Sequence, residues 1–356
     1  MKRLKCLSRM EAVPKLGHRV SSWAQHHHFI LVISVTAMMF IGTFCVASML
    51  AFELDLQLDT QWDGKVEDFQ YSEDGTYIVP NIVHFIRLGS ASLQFVEVVC
   101  VRAAWLQQRP DHLMIHCDEC NATVNSPLWY LIRDIPDLVL EPAKRPTEIF
   151  DVKFSSLQHA SDVVRAQVLM KYGGIYLDSD AYLVRNLNPY RRYELSMGWS
   201  PGEFVGTQVI VAHKNARYLR LWYESYRLYR PSIWYWNAGE LPTRKFLALR
   251  PDLVNRVEAD FGVSEDVAIT LYLECNDKWR NFSAFHLFFR HRRRMVPSDF
   301  KRHKAVTLQT LPNYDRNFGQ MARLVLSGST RLGASAIRCV EWFSKNQLDY
   351  SDRNCF

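Results

Sequence analysis

The feature that most restricts the fold is an uncharged, apolar run near the N-terminus, from Phe29 to Phe52. As a helix it would be roughly 36 Å long at about 1.5 Å per residue, enough to cross a hydrocarbon core of about 30 Å. It is too long for the apolar part of a signal peptide. A buried core helix is the alternative, but such helices are seldom this long and free of charge. Residues 29–52 are therefore predicted to be a transmembrane signal anchor.

The charges on either side of this run predict its orientation. Six basic residues and Glu11 precede it, and six acidic residues with Lys65 follow it up to residue 68. Because positive residues remain on the cytoplasmic side, residues 1–28 are predicted to be a cytoplasmic tail and the chain beyond residue 52 to be lumenal. The tail carries +5 of the net charge of +6. The lumenal part thus has no basic excess, which argues against nucleic acid as a partner.

Six of the eight cysteines lie in the predicted lumenal part: Cys100, Cys117, Cys120, Cys275, Cys339 and Cys355. An even number in an oxidising compartment predicts disulfide bonds, although the sequence leaves their pairing open. Cys117 and Cys120, next to His116, are also compatible with half of a zinc site, but no second pair of ligands follows at zinc spacing. Sequons at Asn121 and Asn281 agree with lumenal exposure and predict a glycoprotein.

The lumenal chain divides into an acidic stem over residues 53–77 and a catalytic domain over residues 78–356. In the domain, short β-rich runs alternate with helical runs such as 126–133, 155–172 and 265–274. Strands separated by helices predict an α/β fold with a mostly parallel sheet and flanking helices. In such sheets, ligands bind at the carboxyl ends of the strands.

The segment Ser161–Asp180 has the sequence features of such a binding edge. A helix containing Asp162 and Arg165 is expected to end at Gly173 and Gly174, and a short strand then leads to Asp178-Ser179-Asp180. The helix would rise about 15 Å and the strand return about 13 Å. Asp178 and Asp180 are therefore expected near Asp162 and Arg165. Each part has an ordinary explanation as a turn, a surface pair or a helix stop, but their ordered combination favours a functional site.

Carboxylates on a loop are suitable ligands for Mn²⁺ or Mg²⁺, which fill their other positions with phosphate oxygens and water. Such a cation would stabilise the diphosphate released when a sugar–diphosphate bond breaks. We therefore expect Asp180 to bind the metal and Asp178 and Asp162 to accept hydrogen bonds from ribose or sugar hydroxyls. Arg165 is expected to donate hydrogen bonds to sugar oxygens or phosphate.

The pattern SD-x2-R-x3-L-x3-GGIYLDSD resembles the donor-binding signature of glycosyltransferases with a DXD sugar-binding region, a group that includes α-1,6-mannosyl- and α-1,4-galactosyltransferases. The run Val79–Ile86 is similar to the first strand of that family, with Arg87 where an aromatic residue is common. The resemblance implies a GT-A-like, Rossmann-like fold, Mn²⁺ dependence, a Golgi location as a single-pass type II protein, and retention of anomeric configuration. It also implies that Asp178 and Asp180 are catalytic and that Asp162 and Arg165 bind the donor.

His286 lies in a segment similar to one that carries a metal-binding histidine in the α-1,4 transferases, so it is a candidate second metal ligand; a packed core histidine is the alternative. The expected function is transfer of a sugar from a metal-bound nucleotide-sugar donor to a glycan, glycolipid or glycoprotein. Two alternatives stay open: a non-catalytic lumenal sugar-binding or scaffold protein with the same fold, and a nucleotide-sugar hydrolase. Retention of Asp178 and Asp180 favours an active site over a scaffold.

Overall fold

The computed structural model describes residues 75–331 together with Ser34, Met38 and Met39, which are helical. The predicted tail, the remainder of the predicted anchor at residues 29–52, and most of the predicted stem lie outside this range. Within the described residues, no helix has both the length and the apolar character needed to cross a membrane. Residues 68–356 form one compact unit, which contains the strands and helices that follow.

The strands of this unit are short, and most of them are buried. In chain order, those between residues 75 and 331 are β1 Ile82–Arg87, β2 His112–Cys117, β3 Leu138–Pro142, β4 Glu148–Ile149, β5 Val152–Lys153, β6 Gly174–Leu177, β7 Ala181–Leu183, β8 Leu195–Gly198, β9 Val209–Ala212, β10 Asn255–Val257, β11 Phe261–Gly262 and β12 Ala284–His286.

The α-helices of the same range vary from one turn to more than four turns. They are α1 Phe95–Gln108, α2 Cys120–Val124, α3 Leu157–Tyr172, α4 Arg217–Glu224, α5 Glu265–Leu273, α6 Arg292–Met295, α7 Pro297–Arg302 and α8 Asn317–Ser327.

A seven-stranded sheet in the order β10-β8-β9-β6-β1-β2-β3 forms the centre of the unit. Strand β1 is parallel to β2 and β6, β2 is parallel to β3, and β8 is parallel to β10. Only β9 runs in the opposite direction, between β6 and β8. The prediction of an α/β fold with a mostly parallel sheet is therefore confirmed.

Apolar side chains cover both faces of this sheet. Successive residues of β6 alternate between two clusters: Ile175 and Leu177 pack with residues of α1 and α8, and Tyr176 packs with residues of α3 and α4. This alternation is the period of two that a β-strand imposes on its side chains. Helices thus lie on both faces, and the loops at the strand ends remain available for ligands.

Helix α3, Leu157–Tyr172, agrees closely with the helical run predicted over 155–172. Ser156 is the N-cap and accepts a hydrogen bond from the backbone N–H of His159 at 3.2 Å, whereas Ser161, which could also cap a helix, lies inside it. Ser156 satisfies an orphan N–H at the first turn, whereas Ser161 already has helical neighbours on both sides. A helix expected over 126–133 is absent, with only a short 3₁₀ turn at Trp129–Leu131.

The double glycine that ends α3 is required by close packing. Gly173 and Gly174 have φ values of +66° and +111°. A Cβ atom on Gly174 would lie 2.6 Å from the carbonyl oxygen of Ile82 and 2.9 Å from Nε2 of His84. His84 Nε2 donates to the carbonyl of Gly173 at 2.8 Å, and His84 Nδ1 is 3.0 Å from Nε2 of His116. The glycines therefore let β6 enter the sheet directly beside a buried histidine pair.

A second, three-stranded sheet in the order β11-β12-β7 extends the region that follows β6. Strand β12 is antiparallel to β7, with His286 opposite Ala181. The backbone N–H of Leu287 donates to the carbonyl of Asp180 at 2.9 Å. This pairing brings His286 next to Asp180 although the two are far apart in sequence.

The structure shows the pairing of four of the six cysteines in the predicted lumenal part. Cys117 and Cys120 form a disulfide bond, so the zinc alternative at this pair was wrong. Cys100 is buried and Cys275 is exposed, both as free thiols, whereas Cys339 and Cys355 lie outside the described residues.

Candidate active site

A cleft of about 750 Å³ opens at the edge of the sheet where β1 and β6 end. All five residues predicted from the sequence line it: Asp162, Arg165, Asp178, Asp180 and His286. Helix α3 positions the first two, the turn between β6 and β7 positions the two aspartates, and β12 positions the histidine. The predicted convergence of helix and returning strand is therefore confirmed, whereas the chemical role of each residue stays a prediction.

Arg165 is the central cation of this cluster. Its Nη2 lies 3.0 Å from Oδ1 of Asp162 and 3.2 Å from Oδ1 of Asp178. Nη1 donates to the carbonyl of Thr207 at 2.8 Å and to its hydroxyl at 3.1 Å, and the guanidinium lies over the ring of Tyr176 at 4.6 Å. The side chain is 7% exposed. Nη1 is thus hydrogen-bonded and Nη2 is ion-paired within the protein, whereas Nε has no hydrogen-bond partner among the described residues.

Asp180 is held by the segment that follows β12. Its Oδ2 accepts a hydrogen bond from the backbone N–H of Phe289 at 3.0 Å, and its Oδ1 is 3.0 Å from Nε2 of His286. The same nitrogen is 3.8 Å from Oδ2 of Asp178. The three side chains therefore face one point in the cleft.

This donor set is suitable for a divalent cation. One ligand atom from each of Asp178, Asp180 and His286 lies within 4.8 Å of the others. Two carboxylates and one imidazole form a set that first-row divalent ions accept, with room for water or phosphate at the remaining positions. The structure thus shows a possible metal site that combines both candidate ligands, Asp180 and His286, with Asp178.

Burial and charge give the carboxylates different proton affinities. Burial raises the pKa of Asp162 to about 6, although the charge of Arg165 opposes part of that shift. Burial alone would also raise the pKa of Asp180, but the charge of His286 and its hydrogen bond lower it to about 2. Burial opposes a charge on His286, yet Asp180 raises the pKa of its imidazole. Of Asp162 and Asp180, Asp180 is therefore the carboxylate that stays ionised more readily.

Three residues of the cleft were given no role by the sequence interpretation: Tyr176, Thr207 and Gln208. The aromatic segment 232–239 left sugar stacking and core packing open, and its Trp234 and Tyr235 also line the cleft. Tyr176 donates to Oδ1 of Asp178 at 2.6 Å. Thr207 and Gln208 precede β9, and they reach the cleft because this strand runs antiparallel to β6. A polar pair before an apolar run is visible in the sequence, but the direction of β9 is not.

The cationic residues around the cleft fall into two groups. Arg87, which replaces the aromatic residue common in the resembled family, donates to both carboxylate oxygens of Glu97 at 2.9 Å. In the basic run 290–294, Arg290, His291 and Arg294 line the cleft, whereas Arg292 is buried and bonded to Asp299. Part of this basic run therefore faces the cleft, and part of it packs inside the protein.

Comparison with known proteins agrees with this geometry. Residues 96–197 match the model of a family described as glycosyltransferase sugar-binding region containing DXD motif. Glucan organizing enzyme 1 of Cryptococcus neoformans var. grubii serotype A is 25% identical over 176 residues, which is 44% of this chain and 46% of that protein. The chain thus spans less than half the length of the curated relative that it matches.

Solved structures similar to this chain include two glycosyltransferases. PaToxG glycosyltransferase is 15% identical with a TM-score of 0.34, covering 49% of this chain and 73% of that one. The glycosyltransferase GlyE of Streptococcus pneumoniae TIGR4 is 11% identical with a TM-score of 0.40, covering 76% and 64%. These scores are low, so neither structure supports a conclusion about this chain. The resemblance that Asp162, Arg165, Asp178 and Asp180 indicated is confirmed: residues 96–197 match the sugar-binding region of the DXD-motif glycosyltransferases.

Proposed function

We propose that this protein is a glycosyltransferase that moves a sugar from a metal-bound nucleotide-sugar donor to a glycan, glycolipid or glycoprotein acceptor, with retention of configuration. The observation that carries the proposal is the meeting of Asp178, Asp180 and His286 at one point of a large cleft. Charged groups rarely become buried together unless they are paired or bind a cation. A cleft at the carboxyl ends of parallel strands is also the usual place for a ligand.

In this proposal, Asp180 and His286 hold Mn²⁺ or Mg²⁺ with help from Asp178. When bound, the cation would supply positive charge to the diphosphate that leaves the donor sugar. Asp178 also accepts a hydrogen bond from Tyr176, which fixes the direction of its carboxylate. Catalysis here depends on groups that are oriented before the substrate arrives.

Asp162 and Arg165 are proposed to act on the donor in different ways. Asp162 has a raised pKa and lines the cleft, so it is suited to hydrogen bonding with a sugar hydroxyl. Arg165 was expected to contact the donor, but its Nη1 is hydrogen-bonded to Thr207 and its Nη2 is ion-paired with Asp162 and Asp178. We therefore assign Arg165 chiefly as a positioning residue that sets the orientation of the two carboxylates.

We also propose a lumenal, Golgi-type location for the domain, with an N-terminal anchor. The predicted orientation and the disulfide between Cys117 and Cys120 support this proposal, because disulfides form in oxidising compartments. Asn121 and Asn281 are exposed and so can carry glycans without disturbing the core. Expression in a secretory host should give a mass shift on glycosidase treatment that is lost in the double variant Asn121→Gln, Asn281→Gln. Glycan-free wild-type protein would contradict the lumenal placement.

The function is tested by screening nucleotide sugars for donor hydrolysis and transfer with Mn²⁺. We expect turnover of one donor class that requires the cation and is lost in Asp180→Asn. Release of sugar only to water, in the presence of saccharide, glycolipid and glycoprotein acceptors, would indicate a hydrolase. No turnover of any donor, combined with metal-independent sugar binding, would indicate a scaffold.

A further inference from the structure

We propose that Trp234 is the stacking platform of an acceptor-saccharide subsite, an inference that rests on the proposed function and extends it to the second substrate. The indole is 55% exposed and lines the same cleft as Asp162 and Asp178, the carboxylates proposed to contact the donor. The other strongly exposed large apolar side chain on this cleft, within residues 75–331, is Leu157 at 42%. A solvent-facing tryptophan in a concave site is a common sign of ligand recognition.

The indole is held in place rather than merely exposed. His159 Nε2 donates to the carbonyl oxygen of Trp234 at 3.0 Å, and the two rings have a centroid separation of 5.4 Å. His159 is fixed in turn, because its Nδ1 is 2.6 Å from the hydroxyl of Tyr229. A side chain that is already ordered loses little conformational entropy when a ligand binds.

The residue after Trp234 fixes the segment from the other side. The hydroxyl of Tyr235 donates to the carbonyl oxygen of Val205 at 2.8 Å. Its ring lies against Gly239 so closely that a Cβ atom there would be 2.2 Å from Cε1. Both residues line the cleft, but Tyr235 is held by these contacts with the protein, whereas the indole of Trp234 is 55% exposed.

The contact with His159 places Trp234 nearer the start of α3 than Asp162 and Arg165. His159, which contacts the indole, precedes Asp162 by three residues and Arg165 by six. At about 1.5 Å per residue, His159 lies roughly 4.5 Å and 9 Å nearer the start of the helix. We therefore place the acceptor sugar at the indole, nearer the start of α3 than the donor sugar at Asp162.

The chemistry of the surface indicates a saccharide. One face of a pyranose ring presents C–H groups that pack on the electron-rich face of an indole, and its hydroxyl groups need hydrogen-bond partners around that ring. Gln158, Ser161 and Glu203 line the cleft and offer such partners. An apolar, flat platform with polar neighbours therefore fits a neutral hexose residue of an acceptor glycan.

Transfer and donor hydrolysis measured side by side test this inference, with the donor found in the screen and a panel of methyl hexopyranosides and disaccharides as acceptors. Trp234→Ala should raise the acceptor KM about tenfold and change donor hydrolysis less than twofold. Trp234→Phe should lie between Trp234→Ala and wild type, because it keeps a smaller aromatic face. Ile233→Ala is the matched control, since Ile233 is 38% exposed, adjacent, and outside the cleft lining.

An unchanged acceptor KM in Trp234→Ala would overturn the inference, as would an equal loss of donor hydrolysis, which would place the indole in the donor half. If wild type turns over no donor, the proposed function fails, and saturation-transfer NMR with the same saccharides and Mg²⁺ decides the subsite. A saccharide signal that disappears in Trp234→Ala would support it, and an equal signal would refute it. Should Trp234→Ala not fold, Trp234→Gln is judged by the same criteria.

Discussion

Replacing Arg165 by methionine should damage both the stability and the ligand affinity of the domain. Methionine keeps an unbranched side chain but removes the charge that lies between Asp162 and Asp178. Removing one partner of a buried ion pair costs about 3–5 kcal/mol. Because the side chain of Asp178 is 22% exposed, we expect the lower end, about 3 kcal/mol. At about 2–4 °C per kcal/mol, the unfolding midpoint should fall by roughly 6–12 °C.

The loss of stability in Arg165→Met should grow as the pH rises, because the pKa of Asp162 is raised. That pKa is about 6 with Arg165 present, and removal of the guanidinium will raise it further. In the variant, the folded state then binds a proton that the unfolded state has released. Its stability therefore falls as pH rises, and the gap to wild type should be narrower at pH 5.5 than at pH 7.5.

A matched ion pair outside the cleft provides the control. Arg102 and Asp134 have side-chain exposures of 5% and 22%, close to the 7% and 22% of Arg165 and Asp178. Arg102→Met should therefore lower the midpoint by a similar amount in thermal unfolding followed by circular dichroism. Only Arg165→Met should weaken binding of Mn²⁺ and a nucleoside diphosphate, measured at a temperature where both variants are folded. Equal affinities in the two variants would refute the positioning role of Arg165.

Two further predictions concern the frame of the site. Gly174→Ala should lower the free energy of unfolding by about 3 kcal/mol or more, because it combines a positive φ with a steric clash. Gly202→Ala is the control: its φ is +81° but nothing lies within 4 Å of the added Cβ, so it should cost clearly less in urea unfolding. Equal losses of stability would contradict the packing argument. Burial lowers the pKa of His84 to about 3, with a contribution from His116, and burial lowers the pKa of His116 to about 4. Both histidines are thus neutral in the folded state, whereas in the unfolded chain they take up a proton near pH 6.5. Their contribution to the free energy of unfolding is therefore complete above pH 6.5. It falls by about 1.4 kcal/mol per pH unit for each histidine as the pH drops from 6.5 toward the folded-state pKa. His116→Gln should remove about 1.4 kcal/mol of the stability that wild type loses between pH 7.5 and 5.5, since the unfolded histidine gains its proton over that range. An unchanged loss would show that the pair does not control it.

The part of the site that the sequence predicts is the part built from local structure. Helix α3, the glycine stop and β6 are consecutive, so ordinary helix and strand lengths bring Asp178 back to Arg165. The start of the helix was predicted to within two residues, but its cap was ambiguous: Ser156 and Ser161 are both plausible caps, and only the three-dimensional hydrogen bond to His159 distinguishes them.

The residues that the sequence did not predict depend on tertiary contacts. Thr207 reaches Arg165, and Gln208 reaches the cleft, because β9 runs against its neighbours. Neither contact leaves a periodic pattern in the sequence. His286 was a candidate through resemblance alone, and its place beside Asp180 follows from the pairing of β12 with β7.

Titration calorimetry of nucleoside diphosphates, such as UDP and GDP, with and without Mn²⁺ tests the central claim most directly. The control for Asp180→Asn is Asp260→Asn, since Asp260 accepts hydrogen bonds from Arg185 and Ser283 outside the cleft lining. We predict that wild type and Asp260→Asn bind one of these ligands only when Mn²⁺ is present, and that Asp180→Asn binds it at least tenfold more weakly. Equal, metal-dependent binding by Asp180→Asn and wild type would contradict the account.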